Sequence, residues 1–152
     1  MAMKIGAFID ADNISASMAE QAIHKLRGSG DIQLIHAYGN WTRKSSIWKN
    51  LANNYGVIIN HRYNITRSKN AADISLAVDA TAMLYGKMQF DTLAIISSDS
   101  DFVPLIQHAQ ACGKIAIGLG GNKSHETYVG QCDKFIFLEE KKVVNLNAAN
   151  RK

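Results

Sequence analysis

A three-layer α/β domain with a mostly parallel central sheet is the fold this chain predicts, on three observations. Short β-branched runs alternate with longer helical segments from end to end. Glycines fall just past several of those helical segments, where helices stop. Acids stand just beyond the most apolar strand-like runs, and in parallel α/β sheets ligands gather beyond the carboxyl ends of the strands.

Taken in order, the run Ile5-Gly6-Ala7-Phe8-Ile9 predicts a strand over 4–9. A helix over 14–27 follows, ended by Gly28-Ser29-Gly30. A strand over 32–38 leads to a helix over 45–54, with Gly56 just past it. Then come a strand over 57–62, a helix over 71–85 with Gly86 beyond it, and a strand over 92–97 built on Leu93-Ala94-Ile95-Ile96. Pro104 is the only proline; it fits the first turn of a helix over 102–112, where its missing N–H does no harm. After Gly113 the pattern predicts a strand over 114–119, a helix over 124–130 and a strand over 134–138. Doubly wound, these strands take the order 3-2-1-4-5, with the sixth as an edge strand. The expected organisation is one domain over 1–138 and a polar tail over 139–152.

A chain of 152 residues, 47% hydrophobic, is long enough to bury one core. No apolar run approaches the roughly 20 residues that span a bilayer. The first apolar stretch ends at Asp10, too early for a signal-peptide core. Cys112 and Cys132 have neither metal-ligand spacing nor the number for a disulfide framework, so a cytoplasmic protein with reduced thiols is expected. A homodimer is compatible with so small a domain, with no interface indicated. The net charge of +4 suits a polyanionic partner, although where the bases fall matters more than their sum.

The acids carry the chemistry. An unpaired buried carboxylate is costly, so acids converging on one sheet edge suggest a cation. Asp10 leaves the first strand in Phe8-Ile9-Asp10-Ala11-Asp12-Asn13, and Ser97-Ser98-Asp99-Ser100-Asp101 leaves the fourth. If those strands are neighbours, about 4.8 Å apart, the two acid pairs face each other. Asp73 joins them from the first turn of the third helix. Hard divalent ions such as Mg²⁺ and Mn²⁺ want several carboxylate oxygens, with water and phosphate completing the shell. Asp10, Asp73, Asp99 and Asp101 are therefore the candidate metal-holding and catalytic residues. Asn13 is placed to orient Asp10, and Ser97 to bond a ligand carboxylate or a phosphate. Asp12 (or Asn13) is expected to cap the first helix or to support the site, and Asp101 is equally a candidate cap. Asp79 lies six positions past Asp73, about 120° around the helix and about 9 Å along it, so it is read as support through a lysine or a backbone amide.

Cations and aromatics interleave on the loops of the same edge. Trp41, Arg43 and Lys44 follow the second strand, Arg62, Arg67 and Lys69 the third, and Lys123 the fifth. Single-stranded nucleic acid is held in this way, by charge on phosphates and flat rings on bases. Each residue also has a plainer reading: solvated bases, and Trp41 covering the core beside Trp48. Gly120-Gly121-Asn122-Lys123-Ser124 lacks the spacing of a phosphate-binding P-loop, and no serine sits in a G-x-S-x-G elbow. His125 is a weaker candidate for a substrate phosphate.

With these residues assembled, the chain resembles the NYN domain of the PIN-like nuclease superfamily, in the bacterial LabA-like group. The resemblance runs from Ile5 to about Leu138. It rests on Phe8-Ile9-Asp10-Ala11-Asp12-Asn13, on Lys69-Asn70-Ala71-Ala72-Asp73 with Asp79, on Ser97-Ser98-Asp99-Ser100-Asp101-Phe102, and on Cys132-Asp133-Lys134-Phe135-Ile136. Ser98 departs from the glycine that S-G-D-S-D-F often carries, a change of loop rather than of ligand. The resemblance implies a Rossmann-like (PIN-like) fold and a metal-dependent ribonuclease; the donor chemistry of the acids makes Mg²⁺ or Mn²⁺ the expected ion, and the basic, aromatic loops make single-stranded RNA the expected partner. Asp10, Asp73, Asp99 and Asp101 would form the acidic pocket, with Asn13, Asp79 and Ser97 as support. Two other readings remain: an RNA-binding module of the same fold without catalysis, and a haloacid-dehalogenase-like phosphatase with Asp10 as nucleophile and Asp12 as acid/base.

Overall fold

The computed structural model describes residues 2–61, 70–86 and 89–140. Strands β1 (Met3–Asp10), β2 (Gly30–Gly39), β3 (Ile58–His61), β4 (Thr92–Ile96), β5 (Ile115–Gly120) and β6 (Lys134–Phe137) form one sheet. Its order is β3-β2-β1-β4-β5-β6 and every pairing is parallel, as a doubly wound topology requires. Helices α1 (Ala16–Arg27), α2 (Ser46–Tyr55), α3 (Ala71–Leu84), α4 (Val103–Ala111) and α5 (Glu126–Gln131) alternate with the strands. This is a Rossmann-like three-layer α/β fold, and the sixth strand is a full member of the sheet.

The period-2 alternation of β1 splits the core in two. Ile5, Ala7 and Ile9 pack with α1 and α2, whereas Phe8 packs on the other face with Leu76 and Ala80 of α3 and Leu105 and Ile106 of α4. Asp10, two residues after Phe8, therefore leaves the sheet toward α3. Phe8, Ile9, Ile95 and Ile96 have no exposed surface. At about 1.5–3 kcal/mol for each large apolar side chain, the central strands are among the most strongly anchored parts of the molecule.

Helix α1 begins later than its pattern predicts. Asn13 N–H and Ile14 N–H both donate to Asp10 O, at 3.2 and 2.9 Å, making a tight turn between the strand and the helix. Ser15 is consequently the N-cap, with Oγ accepting from Met18 N–H at 3.2 Å. The expectation that Asp12 or Asn13 caps this helix is corrected, because both are used up by the turn and its neighbours. Ser15→Ala should cost about 1 kcal/mol, read as a lower urea midpoint with unchanged slope.

The fourth helical segment opens with a 3-10 turn, Ser100–Phe102, before α4 proper. Pro104 lies in the first turn of α4, as expected. Gly56 closes α2 in the left-handed conformation at φ 70°, a region costly for other residues. Gly118 in β5 has no such φ; a Cβ there would lie 2.7 Å from the Phe135 ring, so the ring needs the glycine.

At the C-terminal end, Glu139 N–H donates to Gln21 Oε1 at 2.9 Å, and Leu138 is buried. Residues 141–152 of the expected tail lie outside the described residues. No helix among the described residues is long and apolar enough to cross a membrane.

Candidate acidic site

Neighbouring parallel strands place the site. Ile9 pairs with Ile96, so the chain leaves β1 and β4 side by side, with Asp10 and Ser97 next in line. Ser97 Oγ donates to Asp10 Oδ2 at 2.8 Å, and the Asn13 amide donates to the same oxygen at 2.9 Å. Asp10 is 1% exposed, yet its other oxygen, Oδ1, has no amide or hydroxyl donor among the described residues. A buried oxygen left in this state costs about 1–3 kcal/mol, more if it is charged. Burial raises the Asp10 carboxyl above its ordinary range, more than the bonds from Asn13 and Ser97 lower it.

Asp73 comes to this carboxylate from the first turn of α3. Its own carboxyl is pushed up to about 7, first by burial, then by the charges of Asp10 and Asp99, and by a hydrogen bond to Asp10. Two carboxyls this close cannot both ionise cheaply without a cation, so one keeps a proton. Asp10, Asp73 and Asp99 form the acidic group that the structure brings together.

Asp99 has a second duty. Its Oδ1 accepts from Asp101 N–H at 2.9 Å, so it caps the 3-10 turn, and the capping expected of Asp101 is corrected to Asp99. Capping leaves Asp99 Oδ2 outside that bond, while Asp101 stands exposed on the turn. Asp99 N–H in turn donates to Ser97 Oγ at 3.1 Å, which ties the loop to Asp10 through one hydroxyl. Ser98, the departure from glycine, accepts from Gly121 N–H at 2.9 Å and joins the loops after β4 and β5.

The other expected support residues are sorted by their partners. Asp79 Oδ2 accepts from Tyr38 OH at 2.9 Å. Asp12 Oδ1 accepts from Asn40 N–H at 2.9 Å and meets Lys44 Nζ at 2.9 Å, so it ties β1 to the loop after β2. Lys44 is engaged in that pair, with 14% side-chain exposure. Trp41 donates its indole N–H to Asn60 O at 2.8 Å and packs edge-on against Trp48, the core-covering reading. His125 caps α5, its Nδ1 accepting from Thr127 N–H at 3.1 Å. Lys123 is exposed on the rim of a cavity of about 500 Å³ that Asn13, Ser98, Asp99, Gly121 and Asn122 also line. The Arg43 side chain, Arg62, Arg67 and Lys69 lie outside the described residues.

Tyr128 went unnoticed in the sequence. It is wholly buried, its hydroxyl donates to Ser97 O at 2.9 Å, and burial pushes its phenol well up, so it stays a donor. A lone tyrosine in a short helix carries no pattern that announces a bond to a loop 31 residues away.

The model of the NYN domain family matches residues 4–139, nearly the whole described chain. The chain belongs to the NYN domain family. NYN domains fall within the PIN-like nuclease superfamily, so the resemblance read from the motifs holds at that level. This NYN domain is 27% identical over 128 residues to Uncharacterized protein MJ0482 of Methanocaldococcus jannaschii. That alignment covers 82% of the chain but spans only half the length of the relative. Its fold is also that of VPA0982 from Vibrio parahaemolyticus, a solved structure of a protein of unknown function. There the TM-score is 0.73 at 18% identity, covering 91% of this chain and 97% of that one.

Among the described residues no three His, Cys, Asp or Glu side chains form a ready-made cation cage. Mg²⁺ seldom uses one, being held by one or two carboxylates with water and substrate phosphate. The Asp10 oxygen without an amide or hydroxyl donor, the raised Asp73 and the all-oxygen donor set fit a hard divalent ion of that kind.

Proposed function

We propose that this NYN domain is a Mg²⁺- or Mn²⁺-dependent ribonuclease that hydrolyses RNA phosphodiester bonds at the acidic pocket. The observation that supports the reading is the buried Asp10 carboxyl, whose Oδ1 has no amide or hydroxyl donor and which is hydrogen-bonded to a second acid, Asp73. A fold retains such an arrangement at a cost when a cation offsets it in the working state. Asp10, Asp73 and Asp99 would hold the ion, with Asp101 at the exposed rim toward the substrate. The bound ion would supply an activated water and neutralise charge on the scissile phosphate. Ser97 and Asn13 hold the Asp10 carboxylate in one orientation, and Tyr128 holds Ser97 through its carbonyl. Tyr38 does the same for Asp79 behind the site. Asp12 is already bonded to Lys44 and Asn40, which argues against the acid/base role that a dehalogenase-like phosphatase would need.

The test incubates the protein with labelled single-stranded RNA and Mg²⁺, Mn²⁺ or EDTA, beside Asp99→Asn. Asparagine is as good an N-cap as aspartate, so the variant keeps the turn and loses the charge. Cleavage with Mn²⁺ that EDTA and Asp99→Asn abolish is expected. Cleavage surviving both would sink the proposal, and RNA binding without any cleavage would favour the non-catalytic module.

Lys123 gives a separate expectation for substrate binding. Lys123→Glu should weaken RNA binding about three- to tenfold at low salt and lower the slope of log affinity against log salt by about one. A filter-binding series at several salt concentrations reads both quantities.

A further inference from the structure

At the opposite end of α3 from Asp73, three chemically active side chains meet. Tyr85, the residue that ends α3, places its hydroxyl 2.6 Å from His108 Nε2 in the last turn of α4. Cys112, the C-cap of α4, places Sγ 3.4 Å from the Tyr85 hydroxyl and 3.8 Å from the same imidazole nitrogen. Tyr85 is 68% exposed, and His108 and Cys112 are partly exposed, so solvent reaches the cluster. Twelve residues of helix separate Tyr85 from Asp73, about 18 Å, so this cluster is independent of the acidic pocket.

We propose that Cys112, His108 and Tyr85 form a surface site for a borderline-soft divalent cation, with Zn²⁺ as the reference ion. Thiolate and imidazole are the donors such ions select, whereas the carboxylate pocket suits hard ions. His108 and Cys112 are four apart on one helix, so their side chains share a face. Around a tetrahedral ion with Zn–S about 2.3 Å and Zn–N about 2.0 Å, sulfur and nitrogen lie about 3.5 Å apart and the nitrogen and oxygen about 3.3 Å. The observed 3.8 Å closes by a few tenths of an ångström, and the 2.6 Å opens by a rotation of the exposed Tyr85 ring. Water takes the fourth position.

The surroundings agree with a cation. The C-terminal end of α4 carries the negative end of its dipole. Lys114, two residues past Cys112, is turned away onto Phe90 O at 2.9 Å. In the free protein the Cys112 thiol donates to the Tyr85 hydroxyl at 3.4 Å. Loading exchanges the Sγ–H bond for a metal–sulfur bond and releases that proton to solvent. Because Tyr85 ends α3 and Cys112 ends α4, the ion staples the two helices.

The experiment titrates the reduced full chain with Co²⁺, whose thiolate ligation gives a sulfur-to-metal absorption band that carboxylate and water ligands do not. The expected result is a band saturating at one equivalent, displaced by Zn²⁺, retained in Cys132→Ser and lost in Cys112→Ser. His108→Ala should weaken binding about a hundredfold and Tyr85→Phe about tenfold. Zn²⁺ should raise the melting temperature of the wild type and leave that of Cys112→Ser unchanged. Absence of the band at equimolar Co²⁺, or its survival in Cys112→Ser, would overturn the site. Unchanged affinity in Tyr85→Phe would overturn the three-ligand assignment.

Discussion

Asp10→Asn should lower Mn²⁺-dependent RNA cleavage about a thousandfold while raising the melting temperature at pH 8 by roughly 5 °C. Both effects come from one carboxylate. Oδ2 of Asp10 receives Ser97 and Asn13, so the amide oxygen of the variant takes that place and keeps both bonds. The amide nitrogen then occupies the position of Oδ1, the oxygen without an amide or hydroxyl donor. At pH 8, above the value of about 7 for Asp73, the two acids no longer share a proton, and the amide supplies the donor the pair has lost, worth about 1–3 kcal/mol. The same exchange removes the charge proposed to hold the cation. Gain of stability with loss of activity is the signature of a site held under electrostatic strain. A variant that melts lower than the wild type would show that Asp10 is structural, and one that keeps its activity would remove Asp10 from catalysis.

The second large effect is on pH. Asp73 titrates near 7 in the folded chain and near 4 once unfolded. Between those values the folded protein holds a proton that the unfolded chain has lost. Stability is therefore fully present below about pH 4 and falls as pH rises, until about pH 7. Asp10, also raised, acts in the same direction. Allowing for solvent screening of the partly buried Asp73, the loss should be about 1–2 kcal/mol in EDTA. Asp73→Asn should flatten the profile, and Mn²⁺ at pH 8 should restore stability to the wild type alone. Urea midpoints at pH 5, 6, 7 and 8 read this directly. Equal slopes for wild type and variant would contradict the coupling between the two acids.

The strands were legible because their signal is local. Leu93-Ala94-Ile95-Ile96 reads as a buried strand from composition alone, and β4 lies over Thr92–Ile96. Helix starts were less legible. The turn that folds Asn13 back onto Asp10 moves the cap of α1 to Ser15, and Asp99 rather than Asp101 caps the turn before α4. Several polar residues within reach of one helix mouth are chemically equivalent candidates, and only the path of the backbone chooses among them.

The basic rim shows the same limit. Lys44 read as a free cation because the chain gives no sign that Asp12, 32 residues earlier, lies 2.9 Å from it. Trp41 stood open between a stacking platform and a cover for the core, because its bond to Asn60 O crosses between loops. Lys123 kept its exposure, as a residue in a glycine-rich loop beyond the last central strand would.

By itself the sequence determined the layer order, the parallel sheet and the arrival of Asp10 and Asp99 at one edge. Those follow from hydrophobic period, glycine punctuation and the winding rule, all of which act over short spans of chain. Only the tertiary structure decided what each acid does there. Protonation and pairing depend on what lies within a few ångströms, and the groups that surround Asp10 come from Asn13, Asp73 and Ser97, on three separate stretches of chain.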